Sequence, residues 1–186
     1  TEELAFGILE KQWDTSSYRN QRTKENQDKV KSKDMVKTYM EWEKNNPNTP
    51  VDVEAKFRIE INDVTISGMI DRVEQTPEGE YEVVDFKTGY AYKNKNTIKE
   101  DVQMNIYALG TEKLYGKLPK KTSLFYIKDN KFVPHFIEKE TLDEFTKSLG
   151  EKVDNIFDEK FDAAPEFRKC SRCDYASICD AKESVN

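Results

Sequence analysis

The sequence predicts an α/β domain in which helices flank a mixed sheet. Three observations carry that expectation. Alternating runs rich in Val, Ile, Phe and Tyr recur between Val51 and Thr88, separated by short clusters of Asn, Asp, Pro and Gly, the pattern of successive hairpin strands. Ahead of them lies a long stretch with apolar residues at helical spacing. Beyond them, a helical segment separates the first strands from two further ones, so the sheet needs a crossing helix.

Taken in order, Thr1 to Trp13 reads as a helix with Leu4, Ile8 and Leu9 in register. Arg22 to Lys44 reads as a longer helix with Val30, Val36, Tyr39 and Met40 as its apolar stripe, and Asn45 to Pro50 breaks it. Val51 to Ile61 and Val64 to Val73 form a hairpin about Asn62-Asp63. Glu80 to Thr88 follows the Pro- and Gly-bearing turn Gln75 to Gly79. Thr97-Ile98-Lys99-Glu100 has the form of a capping box, so a helix is expected from there to Gly116, with Pro119 as the stop. Ser123 to Lys128 and Lys131 to Glu138 are strands about Asp129-Asn130, and Pro134 makes the second an edge strand. A second capping box, Thr141-Leu142-Asp143-Glu144, announces a last helix. The expected order is ααβββαββα. Trp13 and Trp42 sit on helical stripes and are read as packing anchors.

Chemistry enters at the second hairpin. If it is symmetric about Glu78, Asp71 falls directly opposite Asp85, with Cβ atoms about 4.5–5.5 Å apart, a pairing that destabilises unless a cation lies between. Lys87, two residues past Asp85, shares its face, while Phe86 points the other way. Two carboxylates suit Mg²⁺ or Mn²⁺, hard ions that can activate water and clamp a phosphate oxygen. A lysine beside them would stabilise developing phosphorane charge. Phosphodiester hydrolysis is the reaction these parts fit.

The full string is Gly68-Met69-Ile70-Asp71-Arg72-Val73, then Val83-Val84-Asp85-Phe86-Lys87-Thr88-Gly89, then Gln103-x-x-x-Tyr107. From about Val51 onward it resembles the PD-(D/E)XK nucleases of the RecB type, which include the nuclease domains of RecB and AddB and those fused to UvrD-like helicases. The resemblance implies a restriction-endonuclease-like fold with an αβββαβ core. It implies Asp71, Asp85 and the Phe86 backbone carbonyl as metal ligands, Lys87 as the catalytic lysine, and Gln103 and Tyr107 as the motif that follows. It also implies an upstream Gly-x-x-x-His element completing the metal shell. The only histidine here is His135, which the strand pattern makes structural.

All three cysteines lie in Cys170-x-x-Cys173-x₅-Cys179. An odd number at this spacing favours a metal or cluster over disulfides. In AddB and the CRISPR-associated relatives, the resemblance implies a [4Fe-4S] cluster closed by one upstream cysteine, a fourth ligand this chain does not contain. Zn²⁺ and free thiols are the other readings.

Residues 1–186 are expected to form one nuclease domain, with 165–186 as a cysteine-bearing tail, and the start in mid-pattern suggests a piece of a longer helicase-nuclease. No apolar run reaches the roughly 18 residues of a membrane span and no signal peptide is evident, so an intracellular, cytoplasmic location is the default. The net charge of −6 is unusual for a protein gripping DNA alone and argues for delivery by a partner such as a helicase. Lys93, Lys95 and Lys99, between the active strand and the next helix, are the candidate DNA-binding lysines. The expected function is a Mg²⁺- or Mn²⁺-dependent deoxyribonuclease, exonucleolytic and acting in repair or recombination. The alternatives are a non-catalytic module of the same fold binding DNA or a helicase partner, an RNA nuclease, and a CRISPR adaptation enzyme.

Overall fold

Five strands join into one sheet in the order β1-β2-β3-β4-β5, formed by Thr49–Ile61, Val64–Gln75, Tyr81–Lys87, Lys121–Tyr126 and Lys131–Phe136. The structure, a computed structural model, describes residues 1–181. Neighbours are antiparallel except β3 and β4, which run parallel. A parallel pair needs a crossover, and helix α3, Val102–Tyr115, supplies it. Helices α1 (Glu2–Gln12) and α2 (Arg22–Asn45) precede the sheet; α4 (Lys139–Phe157) and the short α5 (Phe167–Cys170) follow it. This is the expected ααβββαββα order with one added turn of helix in the tail. The mixed sheet flanked by helices is the restriction-endonuclease-like arrangement expected for the fold. Among the described residues no helix is long and apolar enough to cross a membrane.

The first hairpin turns on Asn62 (φ 47°) and Asp63 (φ 60°), with Ile61 paired to Val64. Two left-handed residues match the twist of the strands, and Asn and Asp tolerate that conformation best after Gly. In the second half of β1, Ala55, Phe57, Ile59 and Ile61 are buried and alternate with exposed residues. Phe57 is the keystone of this face. Its ring lies between β2 and α3, so close that a Cβ on Gly68 would meet it at 2.6 Å and one on Gly110 at 2.7 Å. Gly110→Ala is therefore expected to destabilise by about 1–3 kcal/mol through overpacking, outweighing the roughly 1 kcal/mol that Ala gains over Gly in a helix. Urea unfolding measures this, and Phe57→Leu should recover part of the loss in the double variant.

The opposite face is covered by α2. Trp42 packs within 5.4–5.8 Å, centroid to centroid, of Phe86, Phe125 and Phe132. The Arg72 guanidinium lies 5.0 Å from its ring. Trp42 is thus the packing anchor the sequence predicts, and Trp13 stacks on Tyr18 at 5.9 Å.

The structure corrects three local expectations. Helix α3 starts at Val102, not in the box at Thr97–Glu100: Asp101 is its N-cap and accepts from the Met104 amide at 3.1 Å, while the Thr97 hydroxyl is taken by the Asn94 amide. Helix α4 starts at Lys139, because β5 ends at Phe136 and leaves little chain before it; the second box lies inside the helix. Val30 is 60% exposed. The first half of α2 meets α1 through Glu10, which pairs with Lys29 and Lys33, and through Phe6 beneath Lys33 and Lys37. Val30 lies one step round the helix from that row.

Candidate active site

The site grows from the end of the β2–β3 ladder. Its last pair is Arg72 with Val84, in the register symmetric about Glu78, so Asp71 comes next to Asp85 where the ladder stops. There the Phe86 N–H donates to Asp71 Oδ2 at 2.9 Å. A carboxylate thus takes the amide beyond the ladder's last pair, fixing Asp71 beside Asp85.

Asp85 is buried at 2% exposure. Its Oδ1 accepts from Gln103 Nε2 at 3.0 Å. Its Oδ2, sealed from water, is ion-paired with Lys87 Nζ at 2.7 Å. Burial raises the Asp85 pKa above the usual carboxylate value; Lys87 opposes the rise and the charge of Asp71 adds to it.

Gln103 ties these groups together. Its Oε1 accepts from Lys87 Nζ at 3.0 Å, and its amide donates both to Asp85 and to the Tyr107 hydroxyl at 2.8 Å. Tyr107 in turn donates to the Met69 carbonyl at 2.8 Å. The Asp101 cap sets where α3 begins, and the i, i+4 spacing then brings Gln103 and Tyr107 onto one face. Burial pushes the Tyr107 hydroxyl up to about 12, so it stays protonated and serves as a hydrogen-bond post. Gln103→Ala should lower any cleavage rate by roughly 10–100-fold, the usual cost of losing a group that orients first-rank ligands. Single-turnover kinetics checks it, with Gln103→Glu, which lacks the amide donor, as the comparison.

The residues fit a divalent ion. Asp71 and Asp85 offer hard oxygen donors side by side at the end of the β2–β3 ladder. The Phe86 carbonyl is the third donor the sequence resemblance implies. An ion held there would supply Lewis-acid polarisation of a phosphate and a more acidic water.

Elsewhere the expected groups fare differently. Lys93 is engaged by Asp101, which raises its pKa, so it secures the start of α3. Lys95 and Lys99 line a separate cleft of about 340 Å³ beside His135. His135 bonds Asn105 Oδ1 at 3.3 Å; both Asn105 N–H groups go to the Lys99 and Asp101 carbonyls, so the His135 proton sits on Nε2. Burial lowers its pKa, and it stands with Asn105, not with the carboxylate pair. Cys170, Cys173 and Cys179 form no disulfide among the described residues. Among the described residues no three His, Cys, Asp or Glu side chains gather to hold a metal, so the expected cluster or zinc finds no assembled ligand set here.

Sequence reasoning missed Asp101, although an Asp just before a helical run is a strong N-cap signal. It also missed Glu54, held at φ 53° between residues paired to Arg72 and Ile70, on the strand beside Asp71. Nothing in its side chain announces that conformation.

Gene 69 protein of Mycobacterium phage D29 is 30% identical over 133 residues, covering 68% of this chain and 47% of the phage protein. Its counterpart in Mycobacterium phage L5 is 29% identical over 133 residues, covering 68% of this chain and 43% of that protein. The chain thus spans less than half the length of these curated relatives. The crystal structure of SSO0001 aligns over 81% of this chain and 68% of its own, at 16% identity and a TM-score of 0.45. Residues 1–180, which include every residue of the Asp71–Asp85–Lys87–Gln103–Tyr107 constellation, match one family throughout, and the chain belongs to the PD-(D/E)XK nuclease superfamily.

Proposed function

We propose that this chain is a Mg²⁺- or Mn²⁺-dependent deoxyribonuclease, with Asp71, Asp85 and the Phe86 carbonyl as metal ligands and Lys87 as the catalytic lysine. The observation that carries the reading is the buried Asp85 carboxylate beside Asp71, ion-paired to a lysine that Gln103 holds in place. Burial keeps the Asp85 pKa raised, a cost that a protein built only for stability has no reason to carry. Lys87 stands where charge would develop on a bound phosphate, and the site keeps the carboxylates at the end of a rigid ladder.

The finer reading takes residues 1–186 as one nuclease domain that trims DNA ends in repair or recombination. A helicase in the same polypeptide or complex would deliver the substrate, consistent with the RecB-type motif spacing and the net charge of −6. Linear DNA incubated with the purified protein in Mg²⁺, in Mn²⁺ and in EDTA tests this. Cleavage in either metal and none in EDTA is expected. Binding of DNA without cleavage under every metal condition would leave a non-catalytic module as the better reading.

A further inference from the structure

The loop leaving β3 carries two largely exposed aromatic rings. Tyr90 is 69% exposed and Tyr92 is 76% exposed. Ala91 between them packs against the core, and its N–H donates to Asp129 Oδ2 at 2.6 Å, so the backbone is pinned and both rings project outward. Each ring has a lysine: Lys128 Nζ lies 3.5 Å from the Tyr90 centroid and Lys93 Nζ 5.9 Å from that of Tyr92. Tyr92 meets Tyr126 edge-on at 6.0 Å, and Tyr126 is the β4 residue paired with Lys87. Tyr90 is three residues past Lys87, within about 11 Å along the chain.

We propose that Tyr90 and Tyr92, with Lys128, form a stacking platform for unpaired bases of a DNA strand entering the Lys87 site. The proposal deepens the nuclease reading and rests on it for the identity of the strand. Base stacking on aromatic rings tolerates any sequence, because every base has a π-face, and nearby cations track the phosphates. Duplex DNA offers no such faces, since its bases are already stacked. The platform therefore selects single strands or frayed ends, and it supplies local attraction that the acidic chain as a whole lacks. A pinned backbone means little ordering is left to be done on binding.

The test is the affinity of the purified chain for fluorescein-labelled oligothymidylate, a blunt duplex and oligouridylate, read by anisotropy in EDTA so that nothing is cut. The Tyr90→Ala/Tyr92→Ala double variant should bind the single DNA strand roughly tenfold or more weakly, with duplex binding unchanged. Tyr90→Phe/Tyr92→Phe, which keeps the rings, should bind as the unaltered protein does. Undiminished single-strand binding by the alanine variant, an equal loss on duplex, or failure of the unaltered protein to prefer the single strand would overturn the platform. Tighter binding to oligouridylate than to oligothymidylate would overturn DNA as its ligand. None of these readouts needs cleavage, so failure of the nuclease reading would show separately, as absence of metal-dependent cutting.

Discussion

Asp85→Asn is expected to abolish metal-dependent cleavage and, in metal-free buffer at pH 7, to raise the melting temperature by a few degrees. The two effects share one cause. Burial raises the Asp85 pKa, with Asp71 adding to the rise, so the folded protein favours the neutral acid more than the unfolded chain does. The sign follows from linkage: this group imposes no cost below the ordinary carboxyl range, and the fold loses stability as pH rises from there through the raised value. Where the carboxylate is ionised the unaltered protein carries that cost, and a neutral amide removes it. The Gln103 contact survives, because an asparagine oxygen can still accept from Nε2 at the 3.0 Å now spanned. Mg²⁺ should reverse the ranking. It offsets the charge of Asp85 and stabilises the unaltered protein by mass action, whereas the variant should show little shift. Thermal melts at several Mg²⁺ concentrations read this without any activity assay. A lower melting temperature for the variant in EDTA would contradict the account of Asp85 as a destabilised carboxylate. The metal-induced shift should also fade as pH falls through the raised carboxyl range, since protons then compete for the same oxygen.

Such a trade of stability for function was legible in the sequence only where spacing carried it. The placing of Asp71 beside Asp85 could be read because a hairpin turn of fixed length sets the register that carries Arg72 to Val84, one step before them. The i, i+4 relation of Gln103 and Tyr107 could be read because helical geometry fixes it once the segment is known to be helical. What could not be read depends on competition between near-equal local choices. Thr97 and Asp101 are both good caps, and tertiary contacts chose Asp101: its carboxylate also holds Lys93, and Asn105 ties the Lys99 and Asp101 carbonyls together. The same contact withdrew Lys93 from the set of free cations, which no count of charges along the chain reveals. The wedging of Phe57 between Gly68 and Gly110 was likewise invisible, since it joins β1 to a residue of α3 more than fifty positions along the chain.

Lys87→Ala is expected to lower the cleavage rate by about 10²–10³-fold or more, the scale on which loss of one preorganised charge-stabilising donor is felt, while Mg²⁺ still stabilises the protein. Lys87 is about one-third exposed and its ammonium is held by Gln103 at 3.0 Å and by Asp85 at 2.7 Å. It is not a metal ligand, and its absence leaves every oxygen donor of Asp71, Asp85 and the Phe86 carbonyl in place. Removing its charge does allow the Asp85 pKa to climb further, since Lys87 is the group that lowers it. At pH 8 the carboxyl should still ionise on metal binding, and loss of a neighbouring cation removes repulsion against the incoming one. The melting shift with Mg²⁺ should therefore persist in Lys87→Ala and be absent in Asp85→Asn, two inactive proteins told apart by one measurement. Lys87→Arg keeps the charge but not the compact geometry: the single acceptor of Gln103 cannot hold a planar fork as it holds an ammonium, so partial activity at best is expected. Cleavage by Lys87→Ala at the unaltered rate would remove the lysine from the chemistry, and loss of the Mg²⁺ shift in that variant would mean that it acts by shaping the metal site instead.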